Sequence, residues 1–306
     1  MIVISKDKYM LNTPKLKDSI NQYDKKLFVY PSYKNLEFIK DECTDIDQIN
    51  KNITITNKTI NFDYLIIAVG SDNNDFGING VKENCYFLKN KEDLDKLGYV
   101  LKNNKNINIT ILGAGPTGIE LAFELSKTYT NIKIIEAMNK ILPSFTKETS
   151  TIILDQLKKN NINLLLDNKV TKIEKDKIHT ANVIYPTDVS IWTCGIKPNQ
   201  LVTKLIRTQV LTNNFTVDSN LKFTDSIYAI GDIVASKNHG PPTAQNAVQQ
   251  GKYLANYFNN NFNGPSYEYK EKGKIIHSKD SMIIETPYGI FNIPNQFKFI
   301  VDYFIN

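Results

Sequence analysis

Apolar runs of strand length recur along the chain and are separated by amphipathic stretches. Six of these runs are rich in apolar residues, with at least two at neighbouring positions in each, at residues 64–69, 107–112, 132–136, 162–166, 189–193 and 226–230. Consecutive apolar residues are typical of strands that are covered on both faces. The pattern therefore predicts a parallel sheet between layers of helices.

Helical spacing of apolar residues occurs between several of these runs. One stripe contains Ile119, Ala122 and Phe123, and a weaker one contains Leu154 and Leu157. The longest stripe has seven members: Ala244, Ala247, Val248, Gly251, Leu254, Ala255 and Phe258. Residues at i, i+3, i+4 and i+7 share one face of a helix. Strands that alternate with helices predict an α/β architecture.

Length and composition indicate a globular protein. The chain has 306 residues, of which 41% are apolar and 23% charged, and this is enough for two domains. The net charge of +5 is spread as single lysines rather than as a block. We therefore expect anionic cofactors or a membrane surface as partners, and no nucleic acid.

No segment carries a signal of export or of membrane insertion. No run reaches the roughly 18 to 20 apolar residues of a spanning helix, and MIVISKDKYM lacks the order of a secretory signal. Cys43, Cys85 and Cys194 form no C-x-x-C pair, which fits a reducing compartment. We expect an intracellular protein, cytoplasmic or peripheral on a membrane, without a signal peptide or transmembrane helix.

The stretch ILGAGPTGIE has the spacing of a dinucleotide-binding fingerprint. Gly113, Gly115 and Gly118 form G-x-G-x-x-G between a predicted strand and a helix that starts near Pro116. The first glycine permits a tight turn, the second lets the backbone approach a pyrophosphate, and the third allows helix and strand to pack closely. The helix N-terminus then faces the phosphates. We predict that this loop, with Thr117, binds NADH.

Glu136 strengthens this interpretation. It ends the predicted strand that follows the glycine loop and its helix, where an acid can bind the ribose hydroxyls of NAD and repel the additional phosphate of NADP. The alternative is a glycine turn that only packs strand against helix, with Glu136 in solvent. Strand, glycines, helix and acid all occur in the order of the fingerprint, which favours NADH binding over this alternative.

A second polar turn follows another predicted buried strand. Gly231 and Asp232 come after the run at 226–230, where a short acidic side chain can accept hydrogen bonds from hydroxyls of a cofactor. An aspartate after glycine is also common in ordinary turns. The pair by itself therefore supports both interpretations.

Together these pieces resemble a known family. Six stretches occur in the order and approximate spacing of two-dinucleotide-domain flavoproteins: FDYLIIAVGS, ILGAGPTGIELAFEL, IKIIEAMNKILPSF, IWTCGIKPN, IYAIGDI and GPPTAQNAVQQGKYLANYF. The resemblance covers nearly the whole chain, is most specific at AQNAVQQG, and is greatest to type II NADH dehydrogenases (NADH:quinone oxidoreductases). It implies an enzyme of the pyridine nucleotide oxidoreductase superfamily that transfers a hydride from NADH to FAD and electrons on to a quinone.

The resemblance implies two Rossmann-like domains, with the NADH-binding domain inserted in the FAD-binding domain. We expect an FAD-binding domain at residues 1–95 and 210–265, an NADH-binding domain at 96–209 and a C-terminal segment at 266–306. The first residues resemble the family's second FAD-domain strand, and no G-x-G-x-x-G precedes Gly113. The FAD-binding domain would then lack one central strand and the amide cradle for the FAD pyrophosphate, which exposes apolar edges. An incomplete gene model, a partner chain that supplies this part, and the loss of tight FAD binding would each account for the difference.

The resemblance also implies roles for individual residues. Glu120 matches a glutamate near the meeting point of nicotinamide and flavin, and Gln245 and Gln249 match glutamines of the flavin and quinone pocket. The alternatives are a first-turn glutamate stabilised by the helix dipole and an exposed polar helix face. The helix from Thr243 would direct its positive end towards the flavin. Further cofactor contacts are implied at Gly70, Gly195, Gly231, Asp232 and Ala244.

Other reactive side chains have no pattern of a site. His179, His239 and His277 lack ligand-like spacing, and Cys194 has no partner cysteine, so we expect loop and core residues and no metal site. An apolar helical stripe at 297–304 either ends a domain or contacts a membrane. A homodimer is left open.

The leading interpretation is an FAD-dependent NADH:quinone oxidoreductase, and two alternatives remain. A related flavoprotein of the apoptosis-inducing-factor or ferredoxin-reductase type would use another small electron acceptor, but AQNAVQQG favours a quinone. A non-catalytic, degenerate relative would bind NADH without flavin, and the missing first glycine loop favours that reading.

Overall fold

Two compact units divide the chain, and each consists of several separate chain segments. The computed structural model describes residues 1–20, 27–29, 32–104, 106–208 and 216–297. Unit 1 comprises Met1–Met10, Val29–Asn73 and Ile196–Glu271. Unit 2 comprises Leu11–Phe28, Asn74–Gly195 and Lys272–Asn306. Residues 74–95 thus belong with the glycine loop, and 196–209 do not, although the sequence-based boundaries lie at 95 and 209. Which nucleotide each unit holds stays a prediction.

Short strands make up most of the regular structure. Those before the first helix are β1 (Ile2–Ser5), β2 (Met10–Leu11), β3 (Phe28–Val29), β4 (Glu37–Lys40), β5 (Asp45–Asp47), β6 (Asn52–Ile55), β7 (Lys58–Asn61), β8 (Leu65–Ile67) and β9 (Ser71–Asn73). The later strands are β10 (Cys85–Tyr86), β11 (Ile109–Leu112), β12 (Ile132–Ile135), β13 (Asn163–Leu165), β14 (Val170–Ile173), β15 (Lys177–Thr180), β16 (Ile184–Pro186), β17 (Val189–Trp192), β18 (Ile196–Pro198), β19 (Ile227–Ala229), β20 (Lys274–His277), β21 (Ser281–Thr286) and β22 (Gly289–Pro294).

The α-helices lie between these strands. They are α1 (Val81–Asn84), α2 (Lys91–Lys102), α3 (Pro116–Leu125), α4 (Lys147–Lys159), α5 (Gln200–Thr208) and α6 (Ala244–Asn259). None of the helices in the described ranges is long and apolar enough to cross a membrane. A 3-10 turn at Asn295–Phe297 begins the predicted C-terminal stripe, and the rest of that stripe lies outside the described residues.

A five-stranded parallel sheet forms the centre of unit 2. Its order is β10-β17-β11-β12-β13, with Leu112 of β11 paired to Ile135 of β12 and to Trp192 of β17. All four residues of β11 and of β17 are buried. Each buried Ile or Leu side chain contributes about 1.5–3 kcal/mol relative to exposure. The predicted α/β fold with a parallel sheet is confirmed. Thr110 of β11 and Ser190 of β17 are buried among the apolar residues of these strands.

The glycine loop lies where the strand order of this sheet reverses. β11 has β12 on one side and β17, from much later in the chain, on the other. Open α/β sheets bind nucleotides at such a switch point, at the carboxyl ends of the strands. Helix α3 starts there, with Gly115 as its extended N-cap and Pro116 in its first turn. Proline suits the first helical position because its missing N–H has no intrahelical partner there.

Two antiparallel sheets complete unit 2, and neither was predicted from the sequence. One has the order β14-β15-β16 and the other β20-β21-β22. Ile276 of β20 and Ile283 of β21 are fully buried in the same core cluster as Ile119 and Phe123 of α3. The last described part of the chain therefore packs directly on the helix that follows the glycine loop.

Glu285 of β21 accepts hydrogen bonds at the N-terminus of α4. One carboxylate oxygen, Oε2, accepts from the Thr146 N–H at 2.9 Å, from Thr146 Oγ1 at 2.8 Å and from Thr149 Oγ1 at 2.8 Å. Burial would raise the pKa of Glu285, but these donors and Lys274 outweigh it and hold the pKa below its ordinary value. The carboxylate also lies at the positive end of the helix dipole.

We expect Glu285→Gln to lower the free energy of unfolding at neutral pH by about 1–3 kcal/mol. Because the folded-state pKa is lowered, the carboxylate contributes above the unfolded value of about 4.5 and its contribution is lost as pH falls through the folded pKa. The difference in the free energy of unfolding between the variant and the wild type should therefore become smaller at acidic pH. Urea unfolding followed by fluorescence of Trp192, the single tryptophan, measures this in unit 2. The exposed Glu92→Gln should change the free energy of unfolding by at most about 0.5 kcal/mol.

Unit 1 contains parallel strands in two separate pairs. β1 pairs with β4, and β8 pairs with β19. No hydrogen-bonded strand joins the two pairs in the described ranges, and Ile66 of β8 is 43% exposed. The unit also contains an antiparallel sheet in the order β5-β6-β7, the antiparallel pair β9-β18 and the helices α5 and α6.

Candidate functional site

The three glycines of the loop have three different surroundings in unit 2. Gly113 has a φ of +106°, which favours glycine, and its N–H donates to the carbonyl of Ile135 at 2.9 Å. A Cβ on Gly118 would lie 2.1 Å from the carbonyl oxygen of Gly113, so only glycine permits this approach of helix and strand. A Cβ on Gly115 would meet no atom within 4 Å. Packing within the protein therefore does not require glycine at position 115. A ligand that approaches the backbone at this position would require glycine there.

Glu136 is hydrogen-bonded to the loop and is not free in solvent. Its Oε2 accepts from the N–H of Ala114 at 2.7 Å, and its Oε1 accepts from the N–H of Met138 at 2.8 Å. Each carboxylate oxygen can accept more than one hydrogen bond. The side chain is thus fixed beside the glycine turn with acceptor capacity left for hydroxyl groups.

The residues that directly follow β17 pack against the glycine loop. Thr193 Oγ1 donates to the carbonyl of Leu112 at 2.8 Å, and the thiol of Cys194 lies 3.0 Å from the same oxygen. Burial, assisted by the charge of Glu136, raises the pKa of Cys194 to about 12. The thiol is therefore protonated and unsuited to redox exchange. Gly195 follows with a φ of +62°, and a Cβ there would meet the ring of Phe76 at 2.5 Å.

Glu120 belongs to a nearly buried cluster of charged and polar groups in unit 2. Its side chain is 11% exposed, and its Oε2 lies 2.7 Å from the ammonium of Lys17. Its Oε1 accepts from both the backbone N–H of His277, at 2.9 Å, and the ring Nδ1 of His277, at 2.8 Å. Burial alone would raise the pKa of Glu120, but His277 and Lys17 together hold it below its ordinary value. The carboxylate is therefore ionised and fixed by more than the helix dipole.

Sequence reasoning missed Lys17 and His277. Both are far from Glu120 along the chain, one in a 3-10 turn at Lys17–Ser19 and the other at the end of β20. No local periodicity connects such distant positions. The sequence assigns His277 no role beyond noting that it lacks ligand-like spacing, whereas the structure places it in contact with the candidate glutamate.

In unit 1, the candidate residues lie at the carboxyl ends of two neighbouring parallel strands. Gly70 follows β8 with a φ of +66°, and Gly231 follows β19 with a φ of +82°. The hydroxyl of Ser71 donates to Oδ2 of Asp232 at 2.8 Å. Gly231 and Asp232 thus form more than an ordinary turn, because a hydrogen bond links the acid to the adjacent strand end.

The buried face of α6 holds the turn at Gly231. Gln250 is fully buried, and its Oε1 accepts from the N–H of Gly231 at 2.6 Å while its Nε2 donates to the carbonyl of His239 at 3.1 Å. Asn246, one turn earlier, donates to the carbonyls of His239 and Pro241 at 2.9 and 2.7 Å. These two amides connect the helix to the loop that leads into it.

The predicted glutamines lie on a different face of α6, as neighbours of each other. Gln245 Oε1 accepts from the hydroxyl of Tyr269 at 3.0 Å. Gln249 Nε2 donates to the carbonyl of Lys270 at 2.8 Å, and its Oε1 accepts from the N–H of Lys270 at 3.0 Å. Ala244 is the first residue of the helix, after the N-cap Thr243. The role of these residues towards flavin and quinone stays a prediction.

Comparison with known proteins agrees with this arrangement. A family model described as "Pyridine nucleotide-disulphide oxidoreductase" matches residues 3–251. The chain belongs to this family. The resemblance inferred from the motifs is thereby confirmed, and the match includes the glycine loop, Glu136, the Gly231 turn and the AQNAVQQG segment.

Curated relatives in this family carry more specific names. The chain is 28% identical over 270 residues to the "Type II NADH:quinone oxidoreductase" of Haemophilus influenzae, a match that covers 72% of this chain and 61% of that protein. It is 26% identical over 281 residues to the enzyme of the same name from Staphylococcus haemolyticus, covering 78% and 69%. The chain therefore spans about three fifths of the length of the first of these relatives.

Solved structures share the fold. NDH2 from Plasmodium falciparum in complex with NADH has a TM-score of 0.84 with 22% identity, covering 100% of this chain and 90% of that chain. The sulfide:quinone oxidoreductase of Aquifex aeolicus has a TM-score of 0.75 with 18% identity, covering 99% and 83%. At this level of identity, the similarity establishes the Rossmann-like α/β fold of the family and nothing more specific.

Proposed function

We propose that the chain is an FAD-dependent oxidoreductase that oxidises NADH and passes the electrons to a quinone. The observation that carries the proposal is the loop Gly113–Gly118 with Glu136 fixed beside it at the switch point of a parallel sheet. The names of the relatives in Haemophilus and Staphylococcus, at 28% and 26% identity, support the same reaction. The geometry of the site supports it independently of those names.

The residues of unit 2 fit NADH. The open space at Gly115 leaves room for the pyrophosphate against the loop amides and the N-terminus of α3, where a negative charge is stabilised. Glu136 would accept hydrogen bonds from the adenosine ribose, and Gly195 would line the opposite side of the loop. The ionised Glu120 would lie towards the nicotinamide end and orient it.

The residues of unit 1 fit one part of FAD. Asp232, held by Ser71, would accept hydrogen bonds from hydroxyls of the flavin, and the N-terminus of α6 would stabilise negative charge on the ring. Gly70, Gly231 and Ala244 would bring backbone close to it. No G-x-G-x-x-G precedes residue 113 to hold its pyrophosphate. When bound, FAD supplies the acceptor for the hydride of NADH and the donor for the second substrate.

A quinone would bind at the face of α6 that carries Gln245 and Gln249. Amides donate hydrogen bonds to a quinone oxygen without titrating. Because Gln249 also contacts the backbone of Lys270, the segment around that residue would shape the pocket. A C-x-x-C disulfide mechanism is disfavoured, since burial raises the pKa of both Cys85 and Cys194 to about 12.

Quinones dissolved in a bilayer require the protein to contact the membrane surface. We therefore include peripheral membrane contact in the proposal, since the net charge of +5 favours anionic lipid. Co-sedimentation with anionic vesicles, compared with neutral ones, tests this contact. A homodimer is the assembly that we propose, and light scattering of the purified protein measures it.

The reaction itself is tested directly. The purified protein should carry yellow flavin or bind added FAD, and it should oxidise NADH with a soluble quinone faster than with ferricyanide or a protein acceptor. A colourless protein that stays inactive with added FAD but binds NADH in calorimetry would contradict the proposal and select the non-catalytic alternative. Oxidation of NADH with ferricyanide or a protein acceptor but not with quinone would support the alternative of a related flavoprotein reductase.

We expect Glu136→Arg to shift the preference from NADH towards NADPH. The carboxylate would repel the additional phosphate of NADPH, whereas a guanidinium would attract it. The ratio of kcat/KM for the two nucleotides should fall by at least about tenfold, which corresponds to about 1.4 kcal/mol. An unchanged ratio in steady-state kinetics would remove Glu136 from this role.

A further inference from the structure

The cluster around Glu120 brings together three distant parts of unit 2. Lys17 comes from the start of the chain, Glu120 from α3 and His277 from the end of β20. The side chains of Lys17 and Glu120 are 12% and 11% exposed, and that of His277 is 27% exposed. An ionised carboxylate this deeply buried needs charged or hydrogen-bonding partners, and both of its oxygens have them.

The two oxygens of Glu120 are held in different ways. Oε2 faces the single ammonium of Lys17, which sits on a flexible stem. Oε1 receives two donors from one residue, the backbone N–H and the ring Nδ1 of His277. Since an ionised carboxylate only accepts, Nδ1 must carry the hydrogen. Two donors on one oxygen fix the plane of the carboxylate, which a single point charge does not.

The backbone of His277 is itself fixed by the core. It pairs with Met282 in the β20–β21 ladder, and Met282 is fully buried. The neighbouring Ile276 and Ile283 belong to the cluster that contains Ile119, the residue before Glu120. The antiparallel sheet thus holds His277 in one position relative to α3.

We propose that His277 is a positioning residue that fixes the carboxylate of Glu120 for the nicotinamide half of NADH. The proposal rests on the proposed function for the place of the nicotinamide, and it extends that function to a residue of the C-terminal sheet. The adenosine half of NADH would meet Gly115 and Glu136, which do not contact His277. A change at His277 should therefore affect ligands with a nicotinamide and leave those without one unaffected.

The test compares the affinities of NADH and ADP-ribose, measured by calorimetry on the full chain. ADP-ribose carries the adenosine and pyrophosphate but has no nicotinamide. We expect His277→Leu to lower the affinity for NADH about three- to tenfold and to change the affinity for ADP-ribose by less than about twofold. His277→Asn should restore NADH binding, because its amide nitrogen lies close to the position of Nδ1 and can donate to Oε1.

His179→Leu is the matched control. His179 lies in an antiparallel sheet of the same unit, its side chain is 24% exposed, and its partner is the glutamate Glu174. Loss of this histidine should leave both affinities unchanged. The proposal would be overturned if His277→Leu lowered the affinities for NADH and ADP-ribose equally, or lowered neither. It would also be overturned if His277→Asn failed to restore the affinity for NADH.

The outcome is separate from that of the proposed function. If the wild-type protein is colourless and inactive but His277→Leu lowers the affinity for NADH alone, the role of His277 is supported and flavin-dependent catalysis is contradicted. A yellow, active protein in which the variant has the affinities of the wild type would retain the function and overturn the role of His277. A wild-type protein that does not bind NADH would overturn both.

Discussion

Replacing Gly118 by alanine is expected to destabilise unit 2 by about 3 kcal/mol or more. The new methyl group would lie 2.1 Å from the carbonyl oxygen of Gly113 and 2.7 Å from Thr193 Oγ1. The first of these atoms belongs to the backbone of a loop between a buried strand and a buried helix, so it cannot move without separating α3 from β11. Urea unfolding followed by Trp192 fluorescence measures the loss.

Gly115→Ala separates stability from nucleotide binding. No atom lies within 4 Å of the added methyl group, so the free energy of unfolding should stay within about 0.5 kcal/mol of the wild type. The same methyl group would stand where the pyrophosphate approaches, and NADH binding in calorimetry should weaken about tenfold or more.

Gly98→Ala is the neutral reference for both variants. Gly98 lies within α2, where an added methyl group also meets nothing within 4 Å, and alanine favours a helix. This variant should be as stable as the wild type or slightly more stable, with unchanged NADH affinity. A stable Gly118→Ala protein, or a Gly115→Ala protein that binds NADH normally, would contradict the assigned roles of the two glycines.

The sequence predicted the parallel sheet and the helices beside the glycine loop because local signals specify them. Strands β11 and β17 are buried on both faces and consist mainly of apolar residues, with one buried hydroxyl residue each, and α3 has a glycine loop in front of it. Helix α2 was missed although its signal was present: Leu94, Leu97 and Leu101 repeat at helical spacing, and Asn90 and Asp93 form a capping box. Its high content of charged residues concealed a narrow apolar stripe.

Contacts between distant segments could not be predicted in the same way. Lys17, Glu120 and His277 meet because the 3-10 turn of Lys17 and the C-terminal antiparallel sheet both pack on α3, and nothing near any of the three residues encodes that packing. The hydrogen bond of Ser71 to Asp232 depends likewise on the pairing of β8 with β19. Site residues were therefore predictable where a loop and its helix are contiguous, and not where tertiary packing brings separate elements together.

In the AQNAVQQG segment, the face of α6 on which a side-chain amide lies decides whether it is buried in the unit or directed elsewhere. Gln250 and Asn246 lie one and two turns before Leu254, which is buried, so they continue the buried stripe of α6. Gln245 and Gln249 are one position away and lie towards Tyr269 and Lys270. The family resemblance points to the latter pair, whereas burial identifies the former as the structural pair. The apolar stripe predicted for this helix is not its buried face, since Val248 of that stripe is 55% exposed.

Gln250→Leu is accordingly expected to destabilise unit 1 by about 2–5 kcal/mol, because it removes two buried hydrogen bonds. Leucine fills a similar volume, but it leaves the N–H of Gly231 without a partner, at about 1–3 kcal/mol. It also removes one of the two hydrogen bonds that the carbonyl of His239 accepts, at about 0.5–1.5 kcal/mol. The turn that carries Asp232 would lose its link to α6, so any bound flavin should dissociate more readily. Calorimetric melting and the flavin content after dialysis measure the two effects.

Gln249→Leu is the matched variant one residue earlier on the same helix. Its two hydrogen bonds to Lys270 are exposed, and water replaces them, so stability should fall by about 1 kcal/mol or less. If Gln249 binds the quinone, the KM for quinone should rise while the KM for NADH stays unchanged. Equal melting temperatures for Gln250→Leu and the wild type would show that the buried amide does not hold the Gly231 turn, and the flavin site would then need another support.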